Sequence, residues 1–124
     1  MSCNTAAYTF YLGADPILLA RVKTAANAYI TQAGLSSISR TVYFTSPTPE
    51  AGPTALTIAN VVYDTLQTDE PWTYDDTGYN FRDTPPYSIF DAAGTWKVKY
   101  IFTTTGGTRS VVWFVLNVLD PTPT

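Results

Sequence analysis

Residues 91–119 read DAAGTWKVKYIFTTTGGTRSVVWFVLNVL, and their alternation decides the fold class. Trp96, Val98, Tyr100 and Phe102 alternate with Lys97, Lys99 and Thr103, the period of two that marks a strand with one buried face. Gly106 and Gly107 supply the residue type that tolerates positive φ in a tight hairpin turn. Residues 111–118 then return as a nearly continuous apolar strand, with Val112, Phe114, Leu116 and Val118 on the face that opposes the first four. A hairpin of this kind is marginal alone, so the remaining residues must give it a sheet to join and a surface to cover.

Outward from the hairpin the chain reads as more short strands. Residues 7–12 predict a first strand with Tyr8, Phe10 and Leu12 on one face, and 13–16 (GADP) a turn. Residues 17–24 predict a second strand, with Leu18, Ala20 and Val22 inward and Arg21 and Lys23 toward water. A helix over 16–30 is the alternative, disfavoured because Thr24 and Asn27 are poor helix formers. Residues 37–44 predict a third strand in which Ile38, Val42 and Phe44 share a face. Arg40 falls on that apolar face, so either its stem reaches the sheet edge or a bulge shifts the register. Residues 45–54 (TSPTPEAGPT) carry too many prolines for regular structure and predict a surface loop. Short strands are expected at 56–58 and 61–64, and another at 79–84, with a helical turn at 87–90 that drops Ile89 or Phe90 under the sheets. The last residues, 120–124, read as a frayed tail. Seven or eight short strands without strand–helix alternation predict an all-β antiparallel β-sandwich forming one domain over 1–124.

Composition narrows the function. The 124 residues are 45% hydrophobic and only 14% charged, which excludes a disordered chain. A net charge of −3 argues against a nucleic-acid partner. Lys97 and Lys99 share a strand face, read as a solvated one. No stretch approaches the length of a membrane-spanning helix, and residues 1–13 lack the basic start and apolar core of a signal peptide. Cys3 is the single cysteine, so no disulfide forms within the chain.

Catalytic residue types are scarce. The sequence has no histidine, which removes histidine-based triads, general bases and most transition-metal sites together. The glycine pair lacks the spacing of a phosphate cradle. Ten carboxylates remain; they lie in turns, without the pocket that a glycosidase pair requires. Asp69 and Glu70 with Asp75 and Asp76 could hold a Ca²⁺, but the spacing is not that of an EF-hand, and a solvated acidic loop is the preferred reading. The expectation is a protein that is not an enzyme, with no cofactor and no metal site.

Two groups of aromatic and apolar residues stand out. Trp72, Tyr74, Tyr79 and Tyr87 could form a platform for a sugar or receptor, against a role in anchoring the loop at 67–78 or in the core. Val111, Trp113 and Val115 lie on the face of the last strand where a solitary sandwich places polar residues. Either that row is a protein–protein contact, or the 67–78 loop or the N-terminal segment covers it.

The run D-A-A-G-T-W-K-V over 91–98 resembles the D-x-G-x-Y-x-C corner of immunoglobulin-type domains, with Trp96 in the place of the tyrosine and Val98 in that of the cysteine. More broadly, 15–22, 30–38 (ITQAGLSSI), 41–43, 64–69 (DTLQTD), Trp72, 75–81 (DDTGYNF) and 94–100 resemble the small immunoglobulin-like virion modules of tailed phages and prophage regions. That resemblance implies a structural component of a virus particle, either a tail or baseplate accessory or a capsid decoration protein. Its partners would then be other virion proteins in a symmetric assembly of many copies. It would be made in the host cytoplasm and located in the virion. A carbohydrate- or receptor-binding sandwich module, with a possible glycan receptor, is the alternative.

Overall fold

The computed structural model describes residues 6–24, 26–69 and 72–120. In chain order these form β1 (Ala6–Tyr11), β2 (Leu18–Ala20), β3 (Leu35–Tyr43), β4 (Pro49–Ala55), the single turn α1 (Ile58–Val61), β5 (Val62–Gln67), β6 (Tyr79–Asp83), a 3-10 turn (Tyr87–Ile89), β7 (Gly94–Thr104) and β8 (Arg109–Leu119). A five-stranded sheet, ordered β1-β8-β7-β3-β4, faces a three-stranded sheet ordered β2-β6-β5. This is an all-β sandwich. Its β2-β6-β5 and β3-β7-β8 layers follow the B-E-D and C-F-G strands of the immunoglobulin arrangement, with β4 added beside β3.

The hairpin forms as its alternation predicts. Trp96 pairs with Leu116, Val98 with Phe114 and Tyr100 with Val112, and all six are at most 1% exposed. Only Gly107 of the turn takes positive φ, at 90°, while its N–H donates to the Thr104 carbonyl. Phe81 of the opposite sheet packs edge-on against both Tyr100 and Phe102, at 4.8 and 5.1 Å between ring centroids. Burying a side chain of this size contributes about 1.5–3 kcal/mol, so the aromatic contact between layers is a principal source of cohesion. Phe90, delivered by the 3-10 turn, is buried and meets Trp96 at 5.3 Å. Trp96 also donates its indole N–H to the Ala92 carbonyl at 2.9 Å. The corner thus keeps a backbone hydrogen bond with a nitrogen in place of the tyrosine hydroxyl.

Several expectations are corrected. Residues 49–54 belong to strand β4 instead of a loop, paired to β3 with register shifts between Arg40 and Val42 and between Val42 and Tyr43. Pro49 and Pro53 are accommodated because β4 is an edge strand, where half of the N–H groups need no ladder partner. The strand expected at 56–58 is absent: Leu56 still donates to the Ile38 carbonyl, and then α1 carries the chain from one sheet to the other. The second strand holds only Leu18–Ala20; beyond it, the Asn80 amide grips both the N–H and the carbonyl of Val22 in place of ladder bonds. The first strand runs parallel to β8, an exception in an otherwise antiparallel sandwich. Cys3, Glu70 and the tail residues 121–124 lie outside the described residues.

Arg40 neither reaches the edge nor is displaced by a bulge. Its pairing with Tyr100 on β7 is in register, and its side chain stays in the core, 2.8 Å from the Asp83 carboxylate. Tyr100 donates its hydroxyl to the same oxygen of Asp83.

Candidate protein-docking face

The outer face of the five-stranded sheet is built by register. Counting outward from the hairpin turn puts Ile101 opposite Val111, Lys99 opposite Trp113 and Lys97 opposite Val115. On the other side of β7, Ser39, Thr41 and Tyr43 take the matching positions. Val111, Trp113 and Val115 are all partly exposed, as are Ile101 and Tyr43. The indole of Trp113 leans on the Tyr43 ring at 5.8 Å. Lys99 holds its ammonium 5.6 Å from the Trp113 ring and 5.7 Å from that of Tyr43, within the range of cation–π attraction. Lys99 is therefore part of an aromatic cluster and not simply solvated, whereas Lys97 is exposed.

Beside this cluster, Tyr43, Phe44, Thr45, Ser46, Pro47, Lys97 and Trp113 line a groove of about 480 Å³. Its floor is firm, because Phe44 stacks on the buried Trp96 at 4.4 Å. The face is weighted toward positive charge. Strands β1, β3, β7 and β8 contain no acidic residue, and β4, the remaining strand of the sheet, contributes one, the exposed Glu50, in a chain whose net charge is −3.

Neither of the covers considered for the row lies over it among the described residues. Strand β1 lies alongside β8 in the same sheet. The 67–78 loop is fastened to the other sheet, where Arg21 pairs with Asp75 at 2.9 Å and Trp72 meets Tyr79 at 5.7 Å. Asp75 organises that loop. One oxygen accepts from the Trp72 indole N–H, the Arg21 guanidinium and the backbone N–H groups of Thr77 and Gly78. Desolvation pushes its carboxyl upward, but these hydrogen bonds together outweigh it and hold the pKa down at about 2.

The loop aromatics divide. Trp72, Tyr74 and Tyr79 come together, and Tyr63 of β5 joins them against Tyr79. Tyr79 is buried and donates its hydroxyl to Asp69 at 2.6 Å, and burial leads the causes that raise its pKa. Trp72 is half-buried, so within this cluster Tyr74, at 78% exposed, is the ring presented to solvent, and Tyr87, outside it, is exposed as well. Tyr87 stands apart beyond the far end of β6, where its N–H bonds to Asp15.

Sequence reasoning missed Tyr43, Lys99 and residues 44–47. The place of Lys99 was available by counting from the turn. That of Tyr43 was not, since it depends on which strand lies beyond β7.

No family model matches the chain, and no curated protein matches it. Among solved structures, a 2,6-sialyltransferase of Vibrionaceae Photobacterium sp. JT-ISH-224, in a ternary complex with CMP and lactose, aligns at 14% identity with a TM-score of 0.36. The alignment covers 95% of this chain but 18% of the enzyme. The chain thus spans less than a fifth of that protein's length, and a likeness of that size supports no statement about what this chain does.

Proposed function

We propose that this chain is a non-enzymatic structural component that docks on neighbouring proteins through the outer face of its five-stranded sheet, as part of a tailed-phage-like particle. The observation that carries the docking role is the partly exposed row Val111, Trp113 and Val115 on a sheet whose inner face is already filled by the core. An apolar row flanked by aromatics and by lysines has the composition of an interface centre with a polar surround. The sequence resemblance over 15–100 supports the particle as the setting, in the tail or on the capsid. The groove lining supports a role in binding rather than catalysis, since its one titratable cation, Lys97, is accompanied by tyrosine and two hydroxyls and by no carboxylate.

Trp113→Ser tests the role. Saturable binding to isolated particles is expected to weaken by about 2 kcal/mol or more, the loss of a central aromatic anchor, while the thermal melt stays cooperative. A variant that unfolds instead, or binds as the parent does, overturns the docking role. The exposure of Tyr74 beside Trp72 favours a sugar-binding platform as a second reading. A glycan array with the parent and Tyr74→Ala decides it: signals lost in the variant support it, and no parent signal removes it.

A further inference from the structure

The groove of the docking face and the 67–78 loop lie at opposite ends of the sandwich. Asp83, at the end of β6, sits level with Arg40 and Tyr100, and Phe81 sits level with Phe102. Tyr79, and the loop that precedes it, therefore lie toward Thr104 and the hairpin turn. The groove opens at the other end, at Lys97 and the residues that follow β3. The two regions also belong to different layers, so neither can reach the other within one molecule.

Their chemistry is complementary. The face presents Lys97 and Lys99, and Glu50 of β4 is the one acidic residue on the five strands of the sheet. The loop carries Asp69, Asp75 and Asp76 and no cation. Arg21 takes up Asp75 and the Tyr79 hydroxyl donates to Asp69, while Asp69 and Asp76 are exposed and flank the projecting Tyr74 in sequence. The groove is walled by Trp113 and Tyr43, partners suited to an aromatic ring.

Resting on the docking role above, we propose that the occupant of this face is the Tyr74 segment, residues 72–78, of a second copy of the chain. Tyr74 enters the groove beside Trp113, and Asp76, with Asp69 just before the segment, meets Lys97 and Lys99. The contact is heterologous, joining unlike surfaces of two identical molecules, so each copy keeps one free face and one free loop. Such a contact propagates head to tail, into a ring if the rotation closes and a line if it does not.

Sedimentation of the purified chain over a range of concentrations and salt tests this. The expected result is association that grows with concentration past the dimer and weakens as salt is added. Lys97→Glu/Lys99→Glu and Thr73→Lys/Asp76→Lys should each weaken association by at least about tenfold alone. Mixed in equal amounts they should associate again, because each then offers the charge that the other lacks; recovery also shows that both variants fold. A parent that stays monomeric at low salt overturns the proposal, as does association that stops at a dimer and survives the loop variant, which marks a face-to-face pair. So does a mixture of folded variants that stays dissociated. A monomeric parent whose particle binding is still lost in Trp113→Ser overturns this inference and leaves the docking role standing. Particle binding that survives Trp113→Ser overturns the docking role itself.

Discussion

Asp83 shows how much can rest on one carboxylate. It is 7% exposed, receives both the Arg40 guanidinium and the Tyr100 hydroxyl, and ties β3, β6 and β7 together across the core. Removing one partner of a buried ion pair leaves the other charge uncompensated, which costs about 3–5 kcal/mol. Removing a hydroxyl that donates to a charged acceptor costs less, about 1.5–3 kcal/mol. Asp83→Ala should therefore destabilise more than Tyr100→Phe, measured as a shift in urea midpoint at unchanged slope. The opposite order would show that Arg40 finds solvent once Asp83 is gone. Sequence could place Arg40 on the apolar face of its strand. It could not name the partner, because Asp83 closes its own strand just before two prolines and nothing local marks it as buried.

Among the elements, the two turns that enter or join long strands differ in their tolerance. Gly107 and Gly78 both hold positive φ, at 90° and 102°. A Cβ at Gly107 would meet nothing within 4 Å, whereas one at Gly78 would lie 2.5 Å from the Gln67 carbonyl oxygen. Gly107→Ala should then cost only the conformational strain of about 1–2 kcal/mol. Gly78→Ala should cost more, because the β5–β6 pairing at Gln67 and Tyr79 must open to admit the methyl. Thermal melts of the two variants check the order. The hairpin of β7 and β8 was legible because each face alternates cleanly and its turn carries glycine. Strand β4 was not, since prolines that forbid a central strand are acceptable on an edge, and sequence alone does not say which strands are edges. The row at Val111, Trp113 and Val115 was likewise readable by parity. Its companions Tyr43 and Lys99 come from strands far apart in sequence and meet only through sheet order.

For the molecule as a whole, the titrating groups bound the pH range from both sides. The folded state holds the Asp75 pKa at about 2, below its ordinary 3.8, so the protonated form is disfavoured on folding. The stability that this gives is present above pH 3.8 and is lost as pH falls through the interval down to about 2. Tyr8, Tyr79 and Tyr100 are displaced the other way, chiefly by burial, and Tyr100 most clearly. Their contribution is present below pH 10 and is lost as pH rises beyond it. Melting temperature against pH should fall at both extremes, with Asp75→Asn flattening the acid limb and Tyr100→Phe the alkaline one. An acid limb unchanged by Asp75→Asn would place its origin in other carboxylates. The parallel seam between β1 and β8 has a further consequence, in the order in which the protein is made. Ala6 pairs with Phe114 and Tyr11 with Leu119, so β1 is made well before its ladder partner β8 and waits for it. Until then β8's future neighbour is an unpaired apolar strand, and its docking must overcome the loop entropy of nearly the whole chain. A chain that lacks β8 therefore leaves β1 without its ladder partner and is the form most exposed to wrong pairing.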